Sequence, residues 1–126
     1  MKKILIVDSD PKERLLYAKI FRTEGFKVYE AIDAWEAVEV LLNYCIDLII
    51  LNPGPKETDQ EFLDLLEIDY AYLKVIIMDT PARDQDAFFR ANDYFDRSTG
   101  PYALLHKATG LLFREDTADI HYALVK

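Results

Sequence analysis

Three short apolar runs divide the chain: residues 4–7 (ILIV), 48–51 (LIIL) and 75–78 (VIIM). They are continuous rather than alternating, the pattern of strands buried on both faces of a parallel sheet. Residues 26–30 and 92–96 read as two weaker strands. Helical stripes lie between them. Leu16, Tyr17, Ile20 and Phe21 form the first. Ala34, Trp35, Val38, Leu41 and Leu42 form the second, with Glu36 and Glu39 facing away. Phe62, Leu63 and Leu66 mark a third. Leu104, Leu105, Ala108, Leu111 and Leu112 mark the last. Asp10, Pro11 and Glu13 have the spacing of an N-cap, a first-turn proline and the glutamate of a capping box. Asp33 and Glu36 repeat that spacing, Ser98 or Thr99 before Pro101 opens the last helix, and Gly25 stops the first.

Strand and helix thus alternate about five times. The pattern predicts an α/β three-layer sandwich: a five-stranded parallel sheet flanked by about five helices. Residues 1–114 form one domain on this reading. Residues 115–126 are a tail whose Ile120, Tyr122 and Leu124 fit a strand or a short helix.

Length and composition narrow the function. At 126 residues the chain has the size of one domain, with 51% hydrophobic residues. A domain of that size buries roughly two-thirds of its unfolded surface. The net charge of −8 argues against direct nucleic-acid binding, which needs clustered Lys and Arg, and favours protein partners. Cys45 is the single cysteine and is expected to be a small buried hydrophobe, since no Cys/His cluster offers a zinc site. The absence of a signal segment or a bilayer-length apolar run leads to the expectation of a cytoplasmic protein.

In a parallel sheet, sites form beyond the carboxyl ends of the strands. The residues there are Asp8 and Ser9, then Asn52, then Asp79 and Thr80, then Asp96 and Arg97. Carboxylates beside a cation fit metal or phosphate chemistry, with Mg²⁺ the matching hard ion for Asp8 and Asp79. Solvated strand ends are the plain alternative.

Residues 2–11 (KKILIVDSDP) resemble the first strand of CheY-like receiver domains, the phosphoacceptor modules of two-component response regulators. Residues 46–52 (IDLIILN) resemble the strand that carries the acceptor aspartate. Asp59 follows at the spacing where the family often has Asp or Asn, and residues 94–101 (YFDRSTGP) resemble the last strand and its loop. The resemblance covers about residues 1–114 and implies the sheet order 2-1-3-4-5.

The resemblance also implies a phosphoryl-transfer pocket, and this chain departs from it at most positions. Asp8 matches the first acidic position, but Ser9 replaces the second metal ligand, leaving Asp10 as a nearby carboxylate better placed as a helix cap. Asn52 occupies the acceptor position, and a neutral amide is not a nucleophile for acyl-phosphate formation. Deamidation does not restore it, because the attacking backbone nitrogen belongs to Pro53 and carries no proton. Asp79 stands at the Thr/Ser position unless a shift of one residue restores Thr80. Arg97 stands for the lysine, with a planar fork of different reach. Arg97 is therefore expected to pair with Asp8 or Asp79 and lock the crevice.

The expected function is an atypical receiver domain, not an enzyme, that binds signalling proteins without phosphorylation. No cofactor is expected, and Mg²⁺ would bind weakly. The partners would be a histidine kinase, another regulator or an output protein, reached through Tyr94, Phe88, Phe89 and the last helix, with a homodimer also open. The alternatives are phosphorylation on another carboxylate with Mg²⁺, and a structural or dimerisation domain.

Overall fold

The computed structural model describes residues 1–80 and 90–125, side chains included except at positions 56, 57 and 114–125. In chain order these residues form β1 (Lys3–Val7), α1 (Pro11–Thr23), β2 (Lys27–Ala31), α2 (Ala34–Asn43), β3 (Leu48–Leu51), α3 (Lys56–Asp69), β4 (Lys74–Met78), β5 (Asp93–Phe95), a 3₁₀ turn (Arg97–Thr99) and α4 (Pro101–Val125). The five strands make one sheet of order β2-β1-β3-β4-β5, parallel throughout. The predicted fold class and strand order are borne out, with four α-helices among the described residues.

The continuous apolar runs are buried on both faces, as their composition requires. Leu5, Val7, Ile49, Leu51, Val75 and Ile77 face α2 and α3, where Leu41, Phe62, Leu63 and Leu66 close one core. Ile4, Ile6, Leu48, Ile50, Ile76 and Met78 face α1 and α4, where Tyr17, Phe21, Leu104 and Ala108 close the other. Each such aliphatic side chain contributes about 1.5–3 kcal/mol by leaving water.

Gly25 ends α1 as predicted. Its φ is +93°, its N–H donates to Arg22 O at 3.0 Å, and Phe26 N donates to Phe21 O at 3.1 Å. These are the two bonds of a Schellman motif, and the Phe21 and Phe26 rings meet edge to face across it at 5.8 Å.

Several local expectations are corrected. The buried face of α1 is Tyr17, Ala18 and Phe21, while Leu16 is exposed. On α2 the buried residues are Ala34, Ala37 and Leu41, and both Trp35 and Leu42 are 73% exposed. Small alanines face the sheet because they let the helix approach it closely. Cys45 is exposed: it lies in the loop just past the end of α2, where no layer covers it. The last helix is not capped by Ser98 or Thr99. Asp96 caps the 3₁₀ turn through Ser98 N at 2.9 Å, and Gly100 at φ +93° then redirects the chain into Pro101. Residues 115–125, left open between strand and helix, continue α4 as helix to Val125.

Candidate functional site

The carboxyl ends of β1, β3, β4 and β5 meet at one edge of the sheet, so Asp8, Asn52, Asp79 and Arg97 follow the strands that place them. They divide into two groups.

The first is buried. Asp8 is 1% exposed, and its Oδ1 accepts from Asn52 Nδ2 at 3.1 Å and from Asp10 N at 2.9 Å. Its Oδ2 is buried with no hydrogen-bond partner. The backbone is fixed on both sides: Asp8 N donates to Ala31 O at 3.0 Å, and Asn52 N to Val7 O at 2.9 Å. Arg14 adds a bond from Nη1 to Asp8 O at 2.7 Å while its Nε holds Glu30 at 3.2 Å. The pattern of apolar positions gave no sign of Arg14, because it sits on the helix face that turns back over the β1 end.

The second group lies at the rim. Asp79 adopts φ +52°, a left-handed conformation that costs a non-glycine residue about 1–2 kcal/mol. The turn aims its carboxylate at Arg97: Oδ1 accepts from Arg97 N at 2.9 Å, and Oδ2 pairs with the guanidinium Nε. Arg97 Nη1 also lies 3.6 Å from Glu13 Oε2. Burial works against the Arg97 charge, but the bond and charge of Asp79 and the charge of Glu13 outweigh it and raise its pKa. The expected lock therefore forms through Asp79, and Asp8 takes Asn52 instead. Glu13 belongs to this cluster rather than to a capping box; Asp10 caps α1 alone, through Lys12 N at 2.9 Å. At α2 Asp33 accepts from Glu36 N, and Glu36 reaches back past the cap to accept from Ile32 N, the reciprocal arrangement shifted by one residue.

Tyr17, 3% exposed, lies between the two groups. Burial first, then the charges of Glu13, Asp79 and Asp8, push its hydroxyl up to about 12, with Arg97 opposing. Its unfolded value is about 10. The folded protein thus keeps a proton that the unfolded chain loses, so stability is complete below pH 10 and falls as pH rises toward 12. The loss approaches about 3 kcal/mol for a shift of that size. Melting curves between pH 9 and 11.5 are expected to show it, and Tyr17→Phe is expected to flatten the profile. An unchanged slope in that variant would assign the effect to other groups.

Ser9 and Asp10 are exposed, and Thr80 follows Asp79 at the rim. Tyr94 is half-buried on the edge strand β5, packed against the core beneath α3. Phe88 and Phe89 lie outside the described residues. Asp59, noted for its spacing, is 4% exposed and accepts from Gly54 N at 2.8 Å, and burial raises its pKa. It therefore fastens the loop after Asn52 to the first turns of α3.

Mg²⁺ takes oxygen ligands in a near-octahedral shell, usually one or two free carboxylates with several waters. Here the crevice offers Asp8, whose Oδ1 is already engaged by two donors, with Asn52 turning an N–H toward it. No group of three or more Asp, Glu, His or Cys gathers among the described residues. This donor set does not fit a tightly held Mg²⁺.

No protein-family model matches the sequence. Sporulation initiation phosphotransferase F of Bacillus subtilis is 30% identical over 78 residues, which are 61% of this chain and 63% of that protein. The response regulator TrrA of Thermotoga maritima, solved in complex with Mg²⁺-BeF, superposes with a TM-score of 0.76 at 25% identity, covering 89% of this chain and 100% of that one. A CheY-like receiver domain from Methanospirillum hungatei gives 0.78 at 23% identity, covering 94% of this chain and 98% of that one. The complex of histidine kinase ThkA with TrrA gives 0.78 at 26% identity, covering 89% of this chain and 99% of the matched one. Among the described residues no helix is long and apolar enough to cross a membrane. The chain therefore has the fold of CheY-like receiver domains.

Proposed function

We propose that this chain is a receiver domain of two-component signalling that binds its partners without being phosphorylated. One observation carries the reading. The acceptor position holds Asn52, whose amide donates to Asp8 at 3.1 Å and so occupies the carboxylate that would otherwise face a metal. An amide replaces the nucleophile at the acceptor position, and a neutral serine removes an acidic metal ligand at the second. Arg97, engaged by Asp79 and Glu13, holds the rim in one arrangement. The chain is then not an enzyme but an interaction module, needing no cofactor and holding Mg²⁺ weakly. The ThkA–TrrA complex supports a histidine kinase as one partner class. Tyr94, half-buried on the edge strand β5, is the described residue of the expected docking surface.

A second reading rests on Asp8 Oδ2, buried and without a partner, which leaves one carboxylate oxygen for a metal or a phosphoryl group. Intact mass after incubation with a small-molecule phosphodonor and Mg²⁺ separates the two. The native chain is expected to gain no phosphoryl adduct, and Asn52→Asp to gain one. An adduct on the native chain, mapped to Asp8, Asp10 or Asp79, would establish the second reading. Residues 115–125 continue α4 and leave dimerisation as a third role; a shift in sedimentation on removing residues 115–126 would support it.

A further inference from the structure

Acidity is not spread evenly over this protein. Helix α2 carries Glu36 and Glu39 with no basic residue, and α3 carries six carboxylates against Lys56. That is a formal −2 and −5, out of −8 for the whole chain. Helix α1, by contrast, carries Lys12, Arg14, Lys19 and Arg22 against Glu13, a formal +3. Both helices lie on one face of the sheet and the basic α1 on the other, so the α2–α3 face is strongly acidic.

The same side exposes apolar surface. Trp35 and Leu42 on α2 are each 73% exposed, and Ile68 on α3 is 79% exposed. Between the helices lies a cleft of about 180 Å³, lined by Trp35, Val38, Phe62 and Leu65 with Thr58 and Glu61 at its edge. That volume holds one large apolar side chain. Trp35 and Leu42 are seven residues apart, about 10 Å along the helix, which matches apolar residues two turns apart on a partner helix. Such anchors beside a pocket are typical of binding hot spots.

We propose that the α2–α3 face docks an amphipathic helix from a protein partner, with leucine-like anchors in the Trp35 cleft and Lys or Arg against Glu61 at its edge and the neighbouring carboxylates of α3. The carboxylates select a basic helix and speed its approach, while the apolar cleft fixes its register. The surface uses no crevice residue and is separate from Tyr94, so it stands apart from the question of phosphorylation.

Trp35 is the chain's single tryptophan and reports on its own burial. The probe is a synthetic peptide with leucines at helical spacing and lysines elsewhere, titrated against the full chain and followed by Trp35 emission. A glutamate-for-lysine version is the control. The lysine peptide is expected to give a saturable blue shift and the glutamate peptide none. Glu61→Lys should weaken binding about fivefold. Glu24→Lys, the same charge change at the far end of α1, should weaken it less than about twofold. Both positions are exposed, so both variants should fold. Three results would overturn the proposal. One is no blue shift with the lysine peptide. Another is equal weakening by the two substitutions. The third is a concentration-dependent blue shift without peptide, together with dimer on sedimentation, which would give the face to a second copy.

Discussion

Asn52→Asp is expected to lose about 3 kcal/mol of stability at pH 7 in the absence of divalent ions, a fall of roughly 10 °C in melting temperature. The reason is the 3.1 Å between Asn52 Nδ2 and Asp8 Oδ1. The substitution replaces a donor with a second carboxylate at the same distance, in a place where Asp8 is 1% exposed. Two carboxylates that close cannot both ionise cheaply, and one pKa rises. A raised folded-state pKa gives stability that is complete below the unfolded carboxylate value and lost as pH rises through the folded one. The deficit should therefore shrink on acidification toward pH 4. It should also shrink on adding millimolar Mg²⁺, because the variant then offers two carboxylates where the native chain offers one. The native protein should respond little to Mg²⁺. Equal melting temperatures for the two proteins in a chelator, with no response to Mg²⁺ in either, would show that Asn52 does not hold the pocket together.

The second large effect lies away from the crevice, at Arg90. This side chain is 8% exposed, and its Nη2 donates to Leu73 O at 2.7 Å and Tyr70 O at 2.8 Å. Nη1 reaches Asn92 Oδ1 at 3.3 Å, and Nε lies 3.3 Å from Glu67 Oε2. Asn92 in turn accepts from Val75 N at 2.8 Å. One guanidinium thus ties the turn between α3 and β4 to the entry of β5. Burial lowers its pKa and Glu67 opposes the shift, but arginine stays charged. Arg90→Met keeps much of the apolar stem and removes every guanidinium donor, taking a partner from Leu73 O and leaving Tyr70 O only its bond from Leu73 N. The expected cost is about 3 kcal/mol, read as a lower urea midpoint at unchanged slope. Arg90→Lys should recover only part of it, since one ammonium cannot span the same acceptors. A loss below about 1 kcal/mol in Arg90→Met would mean that water replaces the guanidinium without penalty.

The crevice was partly legible in the chain. Strand ends in a parallel sheet converge, so Asp8, Asn52, Asp79 and Arg97 could be placed together from the apolar runs that precede them. Their pairing could not. Asp8 and Asp79 were equivalent candidates for Arg97, and the choice turned on the left-handed backbone at Asp79, which swings that carboxylate outward. Asp8 points inward, where Asn52 meets it. Glu13 has the spacing of a helix cap, but its partner, Arg97, lies on another element, and spacing along one helix says nothing of that.

What the sequence by itself determined is the order of elements, the parallel sheet and the amide at the acceptor position. Continuous β-branched runs bury on both faces whatever surrounds them, and a residue's chemistry is fixed at the sequence. Which face of each helix turns inward was decided only in three dimensions. Trp35 and Leu42 belong to a stripe as apolar as any in the chain, yet Ala34, Ala37 and Leu41 face the sheet. Hydrophobic periodicity marks every apolar residue alike, whereas packing selects the set whose shape allows close approach to the strands. Arg90 follows the same rule: the carbonyls of Tyr70 and Leu73 that bury it lie 20 and 17 residues away in sequence, and only the fold brings them to it.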